Sequence, residues 1–200
     1  VRALLTQATQ MYAAIPSASQ RLQAVLDRLD EPLRVAIAGK VKAGKSTLLN
    51  SLVGEELAPT DASECTQVVT WYRNGPTYRV LIDLDDGARR QVPFHRDEGA
   101  LELDLGDVPI ERVRRIVVDW PSARLTSITL IDTPGLDSVN AAISDRTRAL
   151  FGAGERATGD VATAGSSEAD AVIYLMRHMH RTDLSFLDAF RDDAHAGASP

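Results

Sequence analysis

The chain has 200 residues, and the 44% that are apolar are enough to bury the core of one α/β domain, which excludes intrinsic disorder as its main state. With 22 basic and 28 acidic residues the formal net charge is −6, which disfavours a protein that binds nucleic acid by neutralising phosphates. No apolar run approaches the roughly 18 residues of a membrane-spanning helix, so the chain as given is expected to be soluble. Its one cysteine, Cys65, cannot form an internal disulfide, as is usual in a reducing cytoplasm.

Residues 1–30 predict two helices, because apolar residues recur at helical spacing on both sides of Pro16. We therefore expect an N-terminal helical segment over residues 1–30, followed by one α/β domain over residues 31–200. The apolar face of the two helices must be buried against another part of the protein. Either the helix pair docks on its own domain, or it is part of a helical stalk that is completed elsewhere in a longer chain.

A phosphate-binding loop is predicted directly after the helical segment. Residues 33–38 form a short, almost wholly apolar run that is typical of a buried parallel strand, and residues 46–53 have helical spacing with Gly54 as the stop. Between them, residues 39–46 read GKVKAGKS and match the pattern G-x-x-x-x-G-K-[ST]. The order strand, loop, helix is the context in which this pattern binds nucleotide phosphates.

The residue types in this loop follow from phosphate chemistry. Gly39 and Gly44 allow successive backbone N–H groups to face one anion at the positive end of a helix dipole. Lys45 is placed to contact the β and γ phosphates, and the Ser46 hydroxyl is placed to ligate Mg²⁺. The predicted nucleotide-binding residues of the loop are Gly39, Lys40, Val41, Lys42, Ala43, Gly44, Lys45, Ser46 and Thr47. All three lysines of this arginine-rich chain lie among them.

The remainder of the chain is predicted to be rich in strands. Strands are expected at residues 68–72, 78–84, 89–94, 116–120, 127–131 and 169–176, with a hairpin turn at residues 85–87. Trp71 and Tyr72 are expected in the core. Residues 152–167 are small, polar and aperiodic and predict a mobile loop, whereas Thr182 is expected to cap a helix. His178 and His180 directly follow a strand and are not assigned to a metal site.

A second phosphate-site element is predicted at residues 132–135, which read DTPG after the apolar strand at residues 127–131. At the end of a neighbouring strand, the carboxylate of Asp132 is placed to hold Mg²⁺ through water, and the Gly135 N–H is placed to meet the γ-phosphate. Alone, the pattern D-x-x-G is weak. After a buried strand and downstream of a phosphate loop, it is strong.

With these elements the chain resembles a translation-factor-class GTPase, and residues 39–72 resemble bacterial dynamin-like proteins, with actinobacterial dynamin-like proteins of the isoniazid-inducible kind as the nearer relatives. The resemblance implies a three-layer P-loop GTPase domain with a mixed, mostly parallel sheet. It implies GTP or GDP with Mg²⁺ as ligands, and it assigns to Thr66 the role of completing the Mg²⁺ shell when GTP is bound. The predicted metal ligands are thus Ser46, Thr66 and Asp132.

The sequence departs from related GTPases in two respects, namely the residues that act on water and phosphate and the motif that reads the guanine base. Leu136 stands where Ras-like enzymes have a water-orienting glutamine, and Val41 stands where eukaryotic dynamins have theirs. Lys42 falls where guanylate-binding proteins carry an arginine that acts on the phosphates and where dynamins carry a serine that helps to hold a cation. Lys42 and Thr66 are therefore the two predicted catalytic residues. The guanine-reading motif [TN]-K-x-D does not occur. We expect the chain to be cut before that strand, the alternative being a domain that does not select guanine in the usual way.

The resemblance implies a protein that hydrolyses GTP and couples nucleotide-driven self-association, through dimers at the nucleotide-binding face, to membrane remodelling by fission or fusion. It would be cytoplasmic and peripheral to the cytoplasmic membrane, and it would contact lipid through parts absent from this chain. Two alternatives stay open. One is an assembly scaffold that binds GTP with negligible hydrolysis, and the other is an ATPase of the same fold.

Overall fold

The computed structural model describes residues 1–40, 42–58, 68–97, 100–134 and 168–176. The chain divides into two compact units, of which the first is Val1–Pro32 and the second begins at Leu33. Within the described ranges, no helix combines the length and the apolar character that are needed to cross a membrane. The predicted loop at residues 152–167, the helix after Thr182 and the histidines at 178 and 180 lie outside the described residues.

The first unit is a pair of helices, α1 (Arg2–Met11) and α2 (Pro16–Arg28), which confirms the two predicted helices. Pro16 begins α2, because its missing N–H and its fixed φ suit the first position of a helix. The two ends of the unit are joined by a forked contact in which the Arg2 guanidinium donates to both carboxylate oxygens of Asp30, at 2.9 and 2.6 Å. This exposed ion pair lowers the pKa of Asp30.

The second unit is built on a seven-stranded sheet of order β4-β3-β7-β2-β8-β1-β9. One helix of the described chain, α3 (Lys45–Val53), packs against β1 and β8. The strands are β1 (Leu33–Gly39), β2 (Thr70–Asn74), β3 (Arg79–Leu84), β4 (Arg89–Val92), β7 (Val113–Trp120), β8 (Ile128–Asp132) and β9 (Ala171–Leu175), with β5 (Phe94–Asp97) and β6 (Ala100–Leu103) as a separate two-stranded sheet.

The prediction of an α/β fold with a mixed sheet is confirmed. Parallel pairings were expected to predominate, but in the large sheet the described strands form as many antiparallel as parallel pairs. β1 pairs in parallel with β8 and with β9, and β2 pairs in parallel with β7. The other three pairings, β2 with β8, β3 with β4 and β3 with β7, are antiparallel. The β3–β4 pair has to be antiparallel, because its connection is the tight turn at residues 85–87 and parallel strands need a long crossover.

The strand predicted at residues 89–94 is two strands in the structure. β4 ends at Val92 and β5 starts at Phe94, because Pro93 between them has no N–H to donate to a ladder. The chain then leaves the large sheet and forms the β5–β6 hairpin, with Phe94 opposite Leu103. Sequence reasoning missed β6, because its four residues are too short to show an alternating pattern.

Both faces of the large sheet carry buried residues on its central strands. On β1, Val35 and Ile37 belong to the cluster that also contains residues of α3, and Ala36 and Ala38 belong to the cluster on the opposite face. This two-sided burial is why the strand appears in the sequence as an almost wholly apolar run, with Arg34 as the one charged residue near its start. Trp71 and Tyr72 are both buried, as predicted, and belong to different clusters because neighbouring residues of a strand point to opposite faces.

Candidate functional site

The candidate site lies at the edge of the sheet where β1, β8 and β9 end. All three strands run in the same direction, with Ile37 of β1 paired to Asp132 of β8 and Gly39 of β1 paired to Leu175 of β9. The loop at residues 39–46 therefore leaves the sheet next to Asp132. Parallel strands place their carboxyl ends together, and in open α/β sheets this is the edge at which ligands bind.

Gly39 occupies a position that excludes any side chain. Its φ is +146°, and a Cβ added there would collide with the carbonyl oxygen of Leu175 on β9. Gly44, with φ +98°, is the N-cap of α3, so the turn into the helix also uses a conformation that favours glycine. The close approach at Gly39 keeps the start of the loop against β9, and the positive φ of Gly44 leads its end directly into α3.

We expect Gly39→Ala to lower the free energy of unfolding by about 3 kcal/mol or more, because it adds a backbone collision to an unfavourable φ. The matched control is Gly87→Ala, since Gly87 also has a positive φ, +82°, but has nothing within 4 Å of the added Cβ. That control should cost roughly 1 kcal/mol. Chemical denaturation of the three proteins measures both values, and equal costs would show that the approach of Leu175 is unimportant.

The Lys45 ammonium lies folded into the loop. Its Nζ donates to the carbonyl oxygens of Gly39 and Lys40, at 3.2 and 3.1 Å. Burial lowers the pKa of Lys45, and the negative charge of Asp132 opposes that shift. The lysine of the first motif and the aspartate of the second are thus near enough for their charges to interact.

Asp132 ends β8, and one of its two carboxylate oxygens has no partner in the described part of the chain. Its Oδ1 is buried and has no hydrogen-bond partner among the described residues. Burial raises the pKa of Asp132 to about 6, while the Lys45 charge and the Thr133 backbone act in the opposite direction. An unpartnered buried carboxylate oxygen beside a cation fits a group that holds a metal ion, because a divalent cation would supply the missing partner.

The raised pKa of Asp132 predicts a pH dependence of stability in nucleotide-free protein with a chelator present. The folded state holds the proton up to about pH 6, whereas the unfolded chain releases it near the ordinary value of 3.8. The free energy of unfolding should therefore fall by up to about 3 kcal/mol as the pH rises through this window. Asp132→Asn removes this pH dependence, because an asparagine side chain does not titrate. Chemical denaturation at pH 4.5 and 7.5 should show the variant gaining stability relative to wild type at the higher pH, and an unchanged difference would contradict the shift.

Lys42 is the only residue other than glycine with a positive φ, +61°, in the part of the chain that the structure describes. This left-handed conformation costs a lysine roughly 1–2 kcal/mol. Its side chain is exposed at the rim of the loop. Lys42 thus keeps an exposed charge at a position where a glycine would be more stable.

The remaining predicted site residues fall into two groups. Ala43 closes a turn by donating its N–H to the Lys40 carbonyl at 3.2 Å, while Ser46 and Thr47 lie in the first turn of α3. Val41, Thr66 and Gly135 lie outside the described residues, so their roles stay predictions, as do the roles in nucleotide and metal binding of all the others.

Sequence reasoning missed two residues that hold this region together. The Thr133 hydroxyl and N–H both donate to the Ile37 carbonyl, at 2.9 and 3.3 Å, and so tie the end of β8 to β1. The Asn50 side chain, on α3, binds the backbone of Leu57 and Ala58. One signal in the sequence was the presence of an asparagine inside a predicted helix, where its propensity is poor.

A family model and two related proteins all match this chain, and the family model is that of the dynamins. Residues 35–193 match the family model described as the Dynamin family. The isoniazid-induced protein IniC of Mycobacterium tuberculosis is 40% identical over 193 residues, which cover 94% of this chain and 37% of IniC. The bacterial dynamin-like protein of Nostoc punctiforme is 34% identical over 119 residues, which cover 54% of this chain and 17% of that protein.

Among solved structures, a chain of an oligomerised bacterial dynamin pair superposes with a TM-score of 0.53 at 20% identity, over 89% of this chain and 26% of that one. That pair is described as providing a mechanism for the long-range sensing and tethering of membranes. The present chain thus spans little more than a third of the length of IniC, at 37%, and less of the others.

Proposed function

Because the chain belongs to the dynamin family and carries the family's GTPase domain, we propose that it binds GTP with Mg²⁺ and hydrolyses the bond between the β and γ phosphates. The match to the Dynamin family model confirms the family that the sequence motifs indicated. The observation that carries the proposal is the buried Oδ1 of Asp132, which has no partner among the described residues and whose carboxyl interacts electrostatically with Lys45. A loop built around two constrained glycines lies beside this pair and supplies backbone N–H groups for phosphate.

In this proposal each residue has a distinct task. Lys45, which now donates to two loop carbonyls, would donate to the β and γ phosphates when nucleotide is bound. Ser46 and Thr66 would hold Mg²⁺ through their hydroxyl oxygens, and Asp132 would hold it through water. The metal ion would neutralise charge on the phosphates. The metal ion would also supply a partner for the buried Oδ1 of Asp132 and would favour the ionised carboxylate.

The assignment of Thr66 is supported by the short length of chain between it and β2. Thr70, four residues further on, is paired with Asp132 across the β2–β8 ladder. A chain of four residues spans at most about 14 Å. The chain is therefore short enough for Thr66 and Asp132 to contribute to one metal ion, as this proposal requires.

For hydrolysis itself we propose that Lys42 supplies positive charge to the bridge between the β and γ phosphates. The sequence offers no glutamine at Val41 or Leu136 to orient water, so another source of transition-state stabilisation is needed. Lys42 lies in the same loop as Lys45, and it keeps a strained conformation that leaves its charge exposed. This combination is expected of a side chain that is retained for its charge rather than for the fold.

At the level of the whole protein, we propose that GTP binding drives self-association through the nucleotide-binding face and that this is coupled to membrane remodelling, with the helices of residues 1–30 serving as a stalk or neck. The supporting fact is that a bacterial dynamin pair with this fold is described as oligomerised and as tethering membranes. The protein would act in the cytoplasm at the surface of the cytoplasmic membrane, with no role in binding nucleic acid.

Steady-state turnover of GTP and ATP by the purified full-length protein tests this proposal. GTP turnover that needs Mg²⁺ and is lost in Lys45→Ala is the expected result. Tight GTP binding with no turnover would instead indicate an assembly scaffold, and faster turnover of ATP would indicate an ATPase of the same fold. Protein that binds neither nucleotide would refute the proposal.

A further inference from the structure

Leu175, the last residue of β9, lies against both glycines of the loop at residues 39–46. It is paired with Gly39 across the β1–β9 ladder, and its carbonyl oxygen is the atom that a Cβ at Gly39 would strike. At the other end of the loop, its Cδ2 is 4.0 Å from the position that a Cβ at Gly44 would occupy, an ordinary van der Waals distance. One residue of a neighbouring strand therefore contacts the start of the loop through its backbone and the end of the loop through its side chain.

The Leu175 side chain is anchored in the core beneath the loop. It is half-buried and packs against the buried cluster that contains Ile37 of β1 and Leu49 of α3. Its place is thus set by the sheet and the helix rather than by the loop. The two glycines have no side chains of their own with which to anchor the loop, so a contact that restrains them has to come from another element. Leu175 supplies such a contact.

The two glycines position the groups that are predicted to contact phosphate. The Gly39 carbonyl accepts a hydrogen bond from the Lys45 Nζ at 3.2 Å, and the Gly44 carbonyl accepts one from the Leu48 N–H at 3.0 Å. Gly44 is also the N-cap of α3, with Lys45 as the next residue. A shift of Gly44 would therefore displace the N–H groups at the start of the helix together with Lys45. Whether these groups converge on one anion thus depends on where Gly44 lies.

We propose that Leu175 is a positioning residue for nucleotide binding, whose side chain supports the Gly44 end of the loop so that the start of α3 and the Lys45 ammonium face the same phosphates. The inference rests on the proposed function, because a phosphate site is what gives this contact its task. Leu175 is apolar and acts through the loop backbone. Its support is the same whether GDP or GTP is bound, so its loss should weaken both nucleotides alike and spare the hydrolysis step.

The test compares Leu175→Ala and Leu175→Met with wild type in the full-length protein. For Leu175→Ala we expect the Kd for GDP and the Kd for a non-hydrolysable GTP analogue both to rise about tenfold, while kcat at saturating GTP stays within about twofold. Methionine has a similar volume and is long enough to reach Gly44, so Leu175→Met should keep both Kd values within about threefold of wild type. Isothermal titration and single-turnover hydrolysis measure these quantities.

The matched control is Ile173→Ala, which truncates a side chain on the same strand. Ile173 lies two residues before Leu175, so it is on the same face of the sheet, and it pairs with Ile37 rather than with a residue of the loop. Ile173→Ala should lower the melting temperature and leave the Kd for GDP within about twofold of wild type. If Leu175→Ala does not fold, Leu175→Val replaces it, because valine lacks the δ carbons but favours a strand.

Hydrogen exchange in nucleotide-free protein gives a second readout, which does not depend on nucleotide. The Leu48 amide donates to the Gly44 carbonyl, whereas the Gly54 amide donates to the Asn50 carbonyl at 2.8 Å at the far end of α3. Leu175→Ala should speed exchange at Leu48 more than at Gly54. A general loss of stability would speed exchange at both amides alike.

The inference would be overturned if folded Leu175→Ala bound GDP as tightly as wild type, or if Ile173→Ala lost as much affinity at a similar melting temperature. Equal acceleration of exchange at the two ends of α3 would also overturn it, because the side chain would then support the fold as a whole and not the loop. Wild-type protein that bound neither GDP nor the GTP analogue would instead refute the proposed function.

Discussion

Replacement of Lys45 by alanine is expected to weaken nucleotide binding by a factor on the order of 10² to 10³, the largest effect on affinity that we predict. The ammonium is already half-buried in the loop and donates to two carbonyl oxygens there, so it needs little reordering to reach a phosphate. The variant also leaves the Asp132 carboxyl without the positive charge that opposes its raised pKa. Isothermal titration with GDP and with a non-hydrolysable GTP analogue measures the loss.

The matched control for Lys45→Ala is Lys42→Ala, which removes an identical charge three positions away in the same loop. Lys42 is exposed, and we expect its removal to weaken GDP binding by less than about tenfold, because solvent screens an exposed charge more strongly. Equal losses for the two variants would mean that only the total charge of the loop matters. Tight binding by Lys45→Ala would refute the assignment of the phosphate loop.

The largest effect on rate is expected at Lys42, where alanine should lower kcat by roughly 10²-fold or more. A charge that meets the bridge between the β and γ phosphates gains most as negative charge develops there, so its contribution appears in the transition state rather than in binding. Turnover by wild type should also be independent of K⁺ and Na⁺, since a fixed ammonium would take the place of a bound cation. Single-turnover hydrolysis in K⁺, Na⁺ and choline buffers measures both effects.

Two further substitutions separate the charge of Lys42 from its strained backbone. Lys42→Gly relieves the positive φ of +61° and should raise stability, yet it should lose as much kcat as Lys42→Ala. Lys42→Arg keeps the charge and should retain a measurable part of kcat. Wild-type rates in Lys42→Ala would eliminate this mechanism, and strong K⁺ dependence of wild type would point to a bound cation instead.

The sequence by itself determined the elements whose signals are local. The helices on either side of Pro16, the loop from Gly39 to Ser46, and the helix that ends at Gly54 all follow from spacing within a short window. The strand before the loop was equally clear, because a strand buried on both faces must be apolar along its whole length. The chemistry of the loop could be proposed for the same reason, since all the residues predicted to contact phosphate there are consecutive.

The strand order and the surroundings of each side chain were decided only by the tertiary structure. No pattern near Asp132 indicates that it pairs with Ile37 and lies beside Lys45, or that burial leaves its Oδ1 without a partner in the described chain. The balance of parallel and antiparallel strands likewise depended on which segments came to lie side by side. These properties depend on contacts between residues far apart in sequence, and a sequence pattern records which residues are apolar but not which distant residue each of them meets.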